Sequence, residues 1–181
     1  MDYELHRVGR ELVYEGAALD FYKDLMELPG GKREYWEFVH HKRAGGACAV
    51  PVLRDGRILL VRQFRPCAER ETLELPAGAR LGPDEDSALT VVRELEEETG
   101  YTCDRVELLV RLQTSVAWCD ESTDVYLAKD LRPLARGQNL DEAEEIGVEA
   151  FALEDLLDRI ARGQIRDAKT VAGLLAYAAG R

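Results

Sequence analysis

The sequence predicts an α+β fold, a mixed sheet covered by helices. Short runs of β-branched and aliphatic residues dominate the middle of the chain, one helical stretch is inserted among them, and two more close it. At 181 residues, with 46% hydrophobic and 33% charged residues, the chain has the length and balance of a single globular domain.

Residues 1–43 read as an N-terminal extension of short strands: LVYEGAALDFYKDLMEL, a turn at Pro29-Gly30-Gly31, then EYWEFVHHK. Next, CAVPVL and RILLVRQF flank Asp55-Gly56, a strong turn signal that predicts a hairpin. ETLELPAG reads as a short strand ending at Pro76, and ARLGPDE as a loop into the first helix. VELLVRLQTSV and TDVYLAKDL read as strands, RPLARGQNLDEAEE as a long polar loop with an acidic end, and IGVEAFAL as a further strand. Helices are predicted at 153–162 and 167–179, the second with Asp167 as its N-cap.

Several function classes are disfavoured. No apolar run approaches the roughly 18 residues of a membrane span. The first residues, MDYELHRVGRELVYEG, have neither a signal core nor a transit-peptide composition, so a cytoplasmic location is expected. Cys48, Cys67, Cys103 and Cys119 form no C-x-x-C pair. They are expected to be reduced thiols serving as small buried hydrophobes rather than a zinc site. A formal net charge of −11 repels phosphate backbones, so no nucleic-acid partner is expected. A small anionic substrate would need a cation and a few local arginines.

The stretch VVRELEEETGY is the informative one. It reads as a helix ending at Gly100, yet Glu94, Glu96, Glu97 and Glu98 crowd its last turns. A helix C-terminus carries partial negative charge, and like charges four apart repel. With about 100° per residue, Ala88, Val92, Leu95 and Thr99 form the expected buried stripe. Glu94, Glu97 and Glu98 share an adjoining sector, and Glu96 lies away from it. Two readings follow from the helix alone: a solvated acidic flank relieved by an Arg93–Glu97 pair, or a face that holds a hard divalent cation, Mg2+ or Mn2+.

From Gly78 the chain reads GARLGPDEDSALTVVRELEEETGY, which resembles the Nudix box, G-x5-E-x7-R-E-U-x-E-E-x-G-U with U bulky and apolar. Glu85, Arg93, Glu94, Leu95, Glu97, Glu98, Gly100 and Tyr101 fall in register. One residue more than the motif separates Gly78 from Glu85, in a loop where insertion is cheap. LLVRQFR, ELPAG, GQIRDAKTVAGLLA and the N-terminal extension resemble the ADP-ribose pyrophosphatase branch of that family. The resemblance implies a Nudix-type α/β/α sandwich with a mixed sheet and an N-terminal β extension. It divides the chain into a dimerising extension, 1–43, and a hydrolase domain, 44–181.

The same resemblance implies the chemistry: metal-assisted hydrolysis of a nucleoside diphosphate linked to a group X. The first expectation is ADP-ribose, cleaved to AMP and ribose 5-phosphate by a homodimer. Glu94 and Glu98 match the principal metal ligands, Glu97 a further one, and Ala77 the residue whose carbonyl completes the set. Arg93 and Glu85 match positions that hold loop and helix together. The general base of this branch lies on a later loop, which puts Glu144 first, with Glu142 and Glu145 behind it and Glu97 in the box as the alternative. Arg65 matches an arginine beside the diphosphate. Trp36, with Phe21 and Tyr22 behind it, matches an aromatic that stacks on the base across a dimer interface. His40 and His41 have no metal spacing and are expected on a surface strand. The segment TSVAWCDES lacks the proline often found in ADP-ribose enzymes, and Trp118 is placed to reshape the pocket. FAD or a nucleotide sugar such as GDP-mannose is therefore the alternative substrate. A nucleotide-binding module without catalysis is the non-enzyme alternative, although such modules usually lose box carboxylates that are all present here.

Overall fold

The computed structural model describes residues 4–43, 45–82, 84–142 and 144–180. Strands β1 (His6–Glu15), β2 (Leu19–Glu27) and β3 (Arg33–His41) form an antiparallel sheet in that order. Its central strand buries Asp24, which accepts hydrogen bonds from Arg10 at 2.8 and 2.9 Å, while the Arg10 guanidinium lies over the rings of Tyr22 and Phe38. Val8, Leu12, Val13, Tyr14, Tyr35 and Trp36 of this sheet are exposed. The sheet is tied to the rest through β3, whose Val39 N–H donates to the Trp118 carbonyl at 2.7 Å. Asp120 adds side-chain contacts to His40 and to the His41 N–H at 2.5 and 2.9 Å.

The remaining elements are β4 (Gly46–Pro51), β5 (Ile58–Arg65), β6 (Arg70–Glu74), β7 (Ala77–Ala79), α1 (Ser87–Thr99), β8 (Tyr101–Thr102) and β9 (Val106–Gln113). They continue with β10 (Ser122–Ala128), β11 (Arg132–Pro133), β12 (Ile146–Phe151), α2 (Leu153–Ala161) and α3 (Ala168–Ala179). A four-stranded sheet has the order β7-β4-β10-β9, with β4 and β10 parallel and the other pairs antiparallel. A second, antiparallel sheet has the order β12-β5-β6, and β8 pairs with β11.

Layering follows from period-two alternation. Cys48, Val50, Ile58, Leu60, Val125 and Leu127 join a core with Leu156 of α2 and Leu174 of α3. Their neighbours Ala47, Ala49, Leu59, Tyr126 and Ala128 face the other way, into a core with Val91 and Leu95 of α1. Strands covered on both faces read as continuous apolar runs, and this is why CAVPV and ILLV contain no polar residue. The expected α+β class and α/β/α layering are what the chain adopts, and Asp167 caps α3 as predicted, accepting from the Thr170 N–H at 3.0 Å.

Three local expectations are corrected. The hairpin around Asp55-Gly56 closes its turn with a single bridge, Val52 to Ile58, after which β4 and β5 part into different sheets. Both edges of β4 are already taken, by β10 and β7, so β5 finds its partners elsewhere. Residues Ala77–Ala79, read as a strand end and loop, form β7. The buried stripe of α1 is rotated in part: Leu95 and Thr99 are buried as expected, but Val91 is fully buried and Glu98 only 4% exposed, whereas Ala88 and Val92 are half-buried. The acidic face therefore turns into the molecule rather than along its flank.

Candidate active site

The site is built where α1 meets β7. Asp86 caps α1 by accepting from the Ala88 N–H at 3.0 Å. Glu85 accepts from the Leu81 N–H at 2.6 Å and from the Thr90 hydroxyl at 2.9 Å, folding the loop with the extra residue back onto the helix. Arg93 donates to the Ala79 carbonyl at 3.1 Å, to Glu94 at 2.6 Å and to Glu97 at 3.1 Å, joining helix to strand. Glu98 accepts from the Ala77 N–H at 2.9 Å. A Cβ on Gly78 would sit 2.0 Å from the Glu94 carboxylate, so the glycine makes the cradle in which that carboxylate lies.

This geometry leaves charge in a dry place. Burial pushes the Glu98 carboxyl up to about 8; the Ala77 N–H opposes the shift, and the charges of Glu94 and Glu144 add to it. Burial also raises Glu94, against the pull of Arg93. Among the described residues no three acidic, histidine or cysteine side chains gather around one point. Arg93 holds Glu94 and Glu97 to itself. The donor set still fits a hard divalent cation: all oxygen, with Glu98 buried, Glu94 and Glu97 half-buried, and Glu94 cradled by Gly78.

The long polar loop after β11 is anchored to the end of α1 by hydrogen bonds. The last carbonyls of a helix lack intrahelical donors, and here the loop supplies them. Gln138 donates to the Glu98 carbonyl at 2.6 Å, the Asn139 N–H to that of Glu97 at 2.9 Å, and the Leu134 N–H to that of Gly100 at 2.7 Å. Arg136 pairs with Glu96 at 3.0 Å, which relieves the outlying glutamate of the helix. Beyond this anchor Glu144 folds back on Asp141, with its carboxylate accepting from the Asp141 N–H at 3.1 Å. Glu142, Glu144 and Glu145 are all exposed, but only Glu144 contributes among the main charges acting on Glu94 and Glu98.

A cavity of about 660 Å³ borders the same strand, lined by Ala77, Gly78 and Ala79 and, beyond them, by Arg65, Trp118 and Lys169. Arg65 is not a free fork: its Nε and Nη2 donate to Glu74 at 2.8 and 2.7 Å. Lys169 donates to Glu74 at 2.5 Å and to Asp167 at 3.0 Å. Lys169 and Glu74 were not singled out in the sequence. The available signal was a lysine in the first turn of α3, where the helix dipole disfavours a cation. Phe21 and Trp36 lie on the N-terminal sheet and do not line this cavity. His40 and His41 are half-buried on β3 as expected of a strand, and His41 reaches the cavity. Cys48 and Cys103 are buried as expected, whereas Cys67 is exposed and Cys119 half-buried, both on the cavity lining.

A helix carrying the buried Glu98 thus lies beside a glycine-containing strand, and Arg65 and Lys169 line the cavity that this strand borders. The NUDIX domain model matches residues 42–174. The chain is 37% identical to the ADP-ribose pyrophosphatase of Bacillus subtilis (strain 168), over 90% of this chain and 86% of that one. It is 34% identical to the methanol dehydrogenase activator of Bacillus methanolicus, over 93% and 90%. A crystal structure of an ADP compounds hydrolase superposes with a TM-score of 0.83 at 20% identity, covering 96% of this chain and 91% of that one, which shows the shared fold. The chain belongs to the Nudix family and is a pyrophosphatase of that family, similar to ADP-ribose pyrophosphatases. Such enzymes typically use a divalent metal and act on nucleoside diphosphate derivatives. Among the described residues no helix is long and apolar enough to cross a membrane.

Proposed function

We propose that the protein hydrolyses ADP-ribose to AMP and ribose 5-phosphate, as a homodimer in the cytoplasm. The observation that supports this most is that the desolvated Glu94 and Glu98 of α1 lie against β7, the strand that borders a cavity also lined by Arg65 and Lys169. The relative named an ADP-ribose pyrophosphatase, matched over most of both chains, supports the choice of substrate.

Glu94, Glu97 and Glu98, with the Ala77 carbonyl, would hold Mg2+ or Mn2+. When bound, the ion neutralises diphosphate charge and acidifies water. Arg93 would release Glu94 and Glu97 as the ligands turn inward, keeping its bond to the Ala79 carbonyl. Arg65 binds a phosphate oxygen, and Glu144 takes the proton from the attacking water. Glu142, Glu145 and Glu97 stand behind it for that role. The anchored loop base keeps Glu144 on the side of α1 where its charge is felt by Glu94 and Glu98. Trp36 and Phe21 stack on the base only if the exposed N-terminal sheet meets a second copy. Residues 1–43 would serve that contact and 44–181 the chemistry.

Trp118, exposed on the cavity lining, favours one second reading, a larger X group as in FAD or a nucleotide sugar such as GDP-mannose. A panel of ADP-ribose, FAD, NADH, diadenosine polyphosphates and nucleotide sugars, with Mg2+ and with chelator, tests both. The expected result is the highest kcat/KM on ADP-ribose, with phosphate-monoester products and no turnover in chelator. No turnover on any of them would support the non-catalytic module instead.

A further inference from the structure

Glu74 stands apart from the carboxylates of α1. It is 3% exposed and accepts from four donors: Arg65 Nε and Nη2, the Thr72 hydroxyl at 2.6 Å, and Lys169 Nζ. Asp167, which caps α3, takes a second bond from Lys169 and so fixes the root of that side chain. The Thr170 hydroxyl, bound to Asp167, accepts from the Leu75 N–H at 2.8 Å and ties this cluster to the strand leading into Ala77. Four ionic groups are thus gathered where three elements meet.

Burying ion pairs is a poor route to stability, because desolvation offsets the attraction, and apolar residues of similar volume often serve as well. The cluster makes sense by what it presents. Arg65 and Lys169 are long side chains with large rotamer entropy, and a ligand that had to order them would lose affinity. Both line the cavity next to Ala77–Ala79. Among the described residues Arg65 Nη1 has no hydrogen-bond partner, so one edge of the guanidinium serves Glu74 and the other remains for a ligand oxygen. Glu74 stays ionised at any working pH: burial pushes its pKa up, but Arg65, Lys169 and Thr72 outweigh burial and bring it down to about 2.

We propose that Glu74 is a positioning residue whose buried carboxylate fixes Arg65 and Lys169 side by side on the cavity wall as a pre-formed cradle for the substrate diphosphate. This rests on the diphosphate reading above. It assigns Glu74 no contact with substrate, so its influence passes through the two cations.

The test is calorimetric binding of inorganic pyrophosphate at fixed Mg2+, with steady-state kinetics on the best substrate of the panel. Glu74→Gln is expected to weaken pyrophosphate binding and raise KM by about tenfold or more, with kcat changed by less than about threefold. In a Lys169→Met background the same substitution should add less than about threefold, because half of what it positions is gone. Thr72→Val removes one bond to Glu74 but no charge, so it should show a smaller shift of the same sign. It carries the test if Glu74→Gln does not fold. Equal losses in both backgrounds, a fall in kcat with KM unchanged, or wild-type pyrophosphate affinity in a folded Glu74→Gln would overturn the proposal. A wild-type protein that binds no pyrophosphate and turns over no diphosphate would instead overturn the functional reading, and this inference with it.

Discussion

Glu98 is held nearly out of water by one backbone donor, so its ionised form is costly until a cation compensates it. Glu98→Gln keeps the size and the acceptor for the Ala77 N–H while removing that charge. Activity is expected to fall by orders of magnitude, and the melting temperature of metal-free protein to hold or rise. Turnover assays and calorimetry in chelator check the two halves, and near-normal turnover would remove Glu98 from the ligand set. Glu144→Gln should lower kcat far more than it raises KM, because it deletes an interaction made in the transition state. Glu142→Gln and Glu145→Gln are the comparators, and if all three were silent the base would be Glu97. Glu74 sets a pH dependence of its own. Its folded pKa lies below the unfolded value, so its stabilisation is present above about pH 4.5 and fades as the pH falls toward about 2. The lowering from 4.5 to about 2 corresponds to roughly 3 kcal/mol. Acid titration of the unfolding free energy should therefore be flatter in Glu74→Gln than in wild type, and identical slopes would contradict the shift.

At the scale of elements, β7 and α1 work as a unit. Gly78→Ala would push a methyl into the Glu94 carboxylate, which is the free end of a flexible side chain. The fold should lose less than about 1 kcal/mol, while Mg2+ affinity and turnover should each fall tenfold or more, separable by metal titration. An unchanged metal affinity would mean that Glu94 has other room to move. How far these elements were legible depended on how local their causes are. The cap at Asp167, the strand after the acidic loop and the register of the glutamates on α1 follow from neighbours in sequence, and all three were read. The failed hairpin and the missed β7 follow from who takes the edges of β4, a decision made by the distant strand β10. The rotated stripe is likewise set from outside the helix, since Gly78 of β7 opens space for Glu94 that a helix pattern alone does not reveal. The box acids were legible because their spacing is rigid within one helix. The Glu74–Lys169 contact joins residues 95 apart and had no spacing to betray it.

For the whole molecule, the N-terminal sheet is the unexplained surface. Its exposed Val8, Leu12, Val13 and Tyr14 lie on β1, an edge strand, and Tyr35 and Trp36 on the far strand β3. On the dimer reading proposed above, these exposed apolar side chains would meet a second copy. Sedimentation at micromolar concentration should give twice the chain mass of 20.3 kDa, and Leu12→Asp with Tyr14→Asp should shift it toward the monomer with loss of activity. A monomeric wild type, or full activity after deletion of residues 1–30, would contradict the dimer.

The parallel pairing of β4 with β10 bears on how the chain comes into being. Gly46 leaves the ribosome long before Thr123, its partner, and α1, β7 and β9 are made in between. Until then β4 has only β7 to cover one edge, and an apolar strand waits with the other edge bare. Non-local parallel pairing is slow because the intervening loop must close before any contact rewards it. The last helix is needed too, for Gly173 of α3 packs against Leu75, Val50 and Val125. Synthesis stalled anywhere before residue 128 should therefore yield protease-sensitive chains that recruit holding chaperones, and the transition to resistance should come late and abruptly, once α3 is free of the exit tunnel.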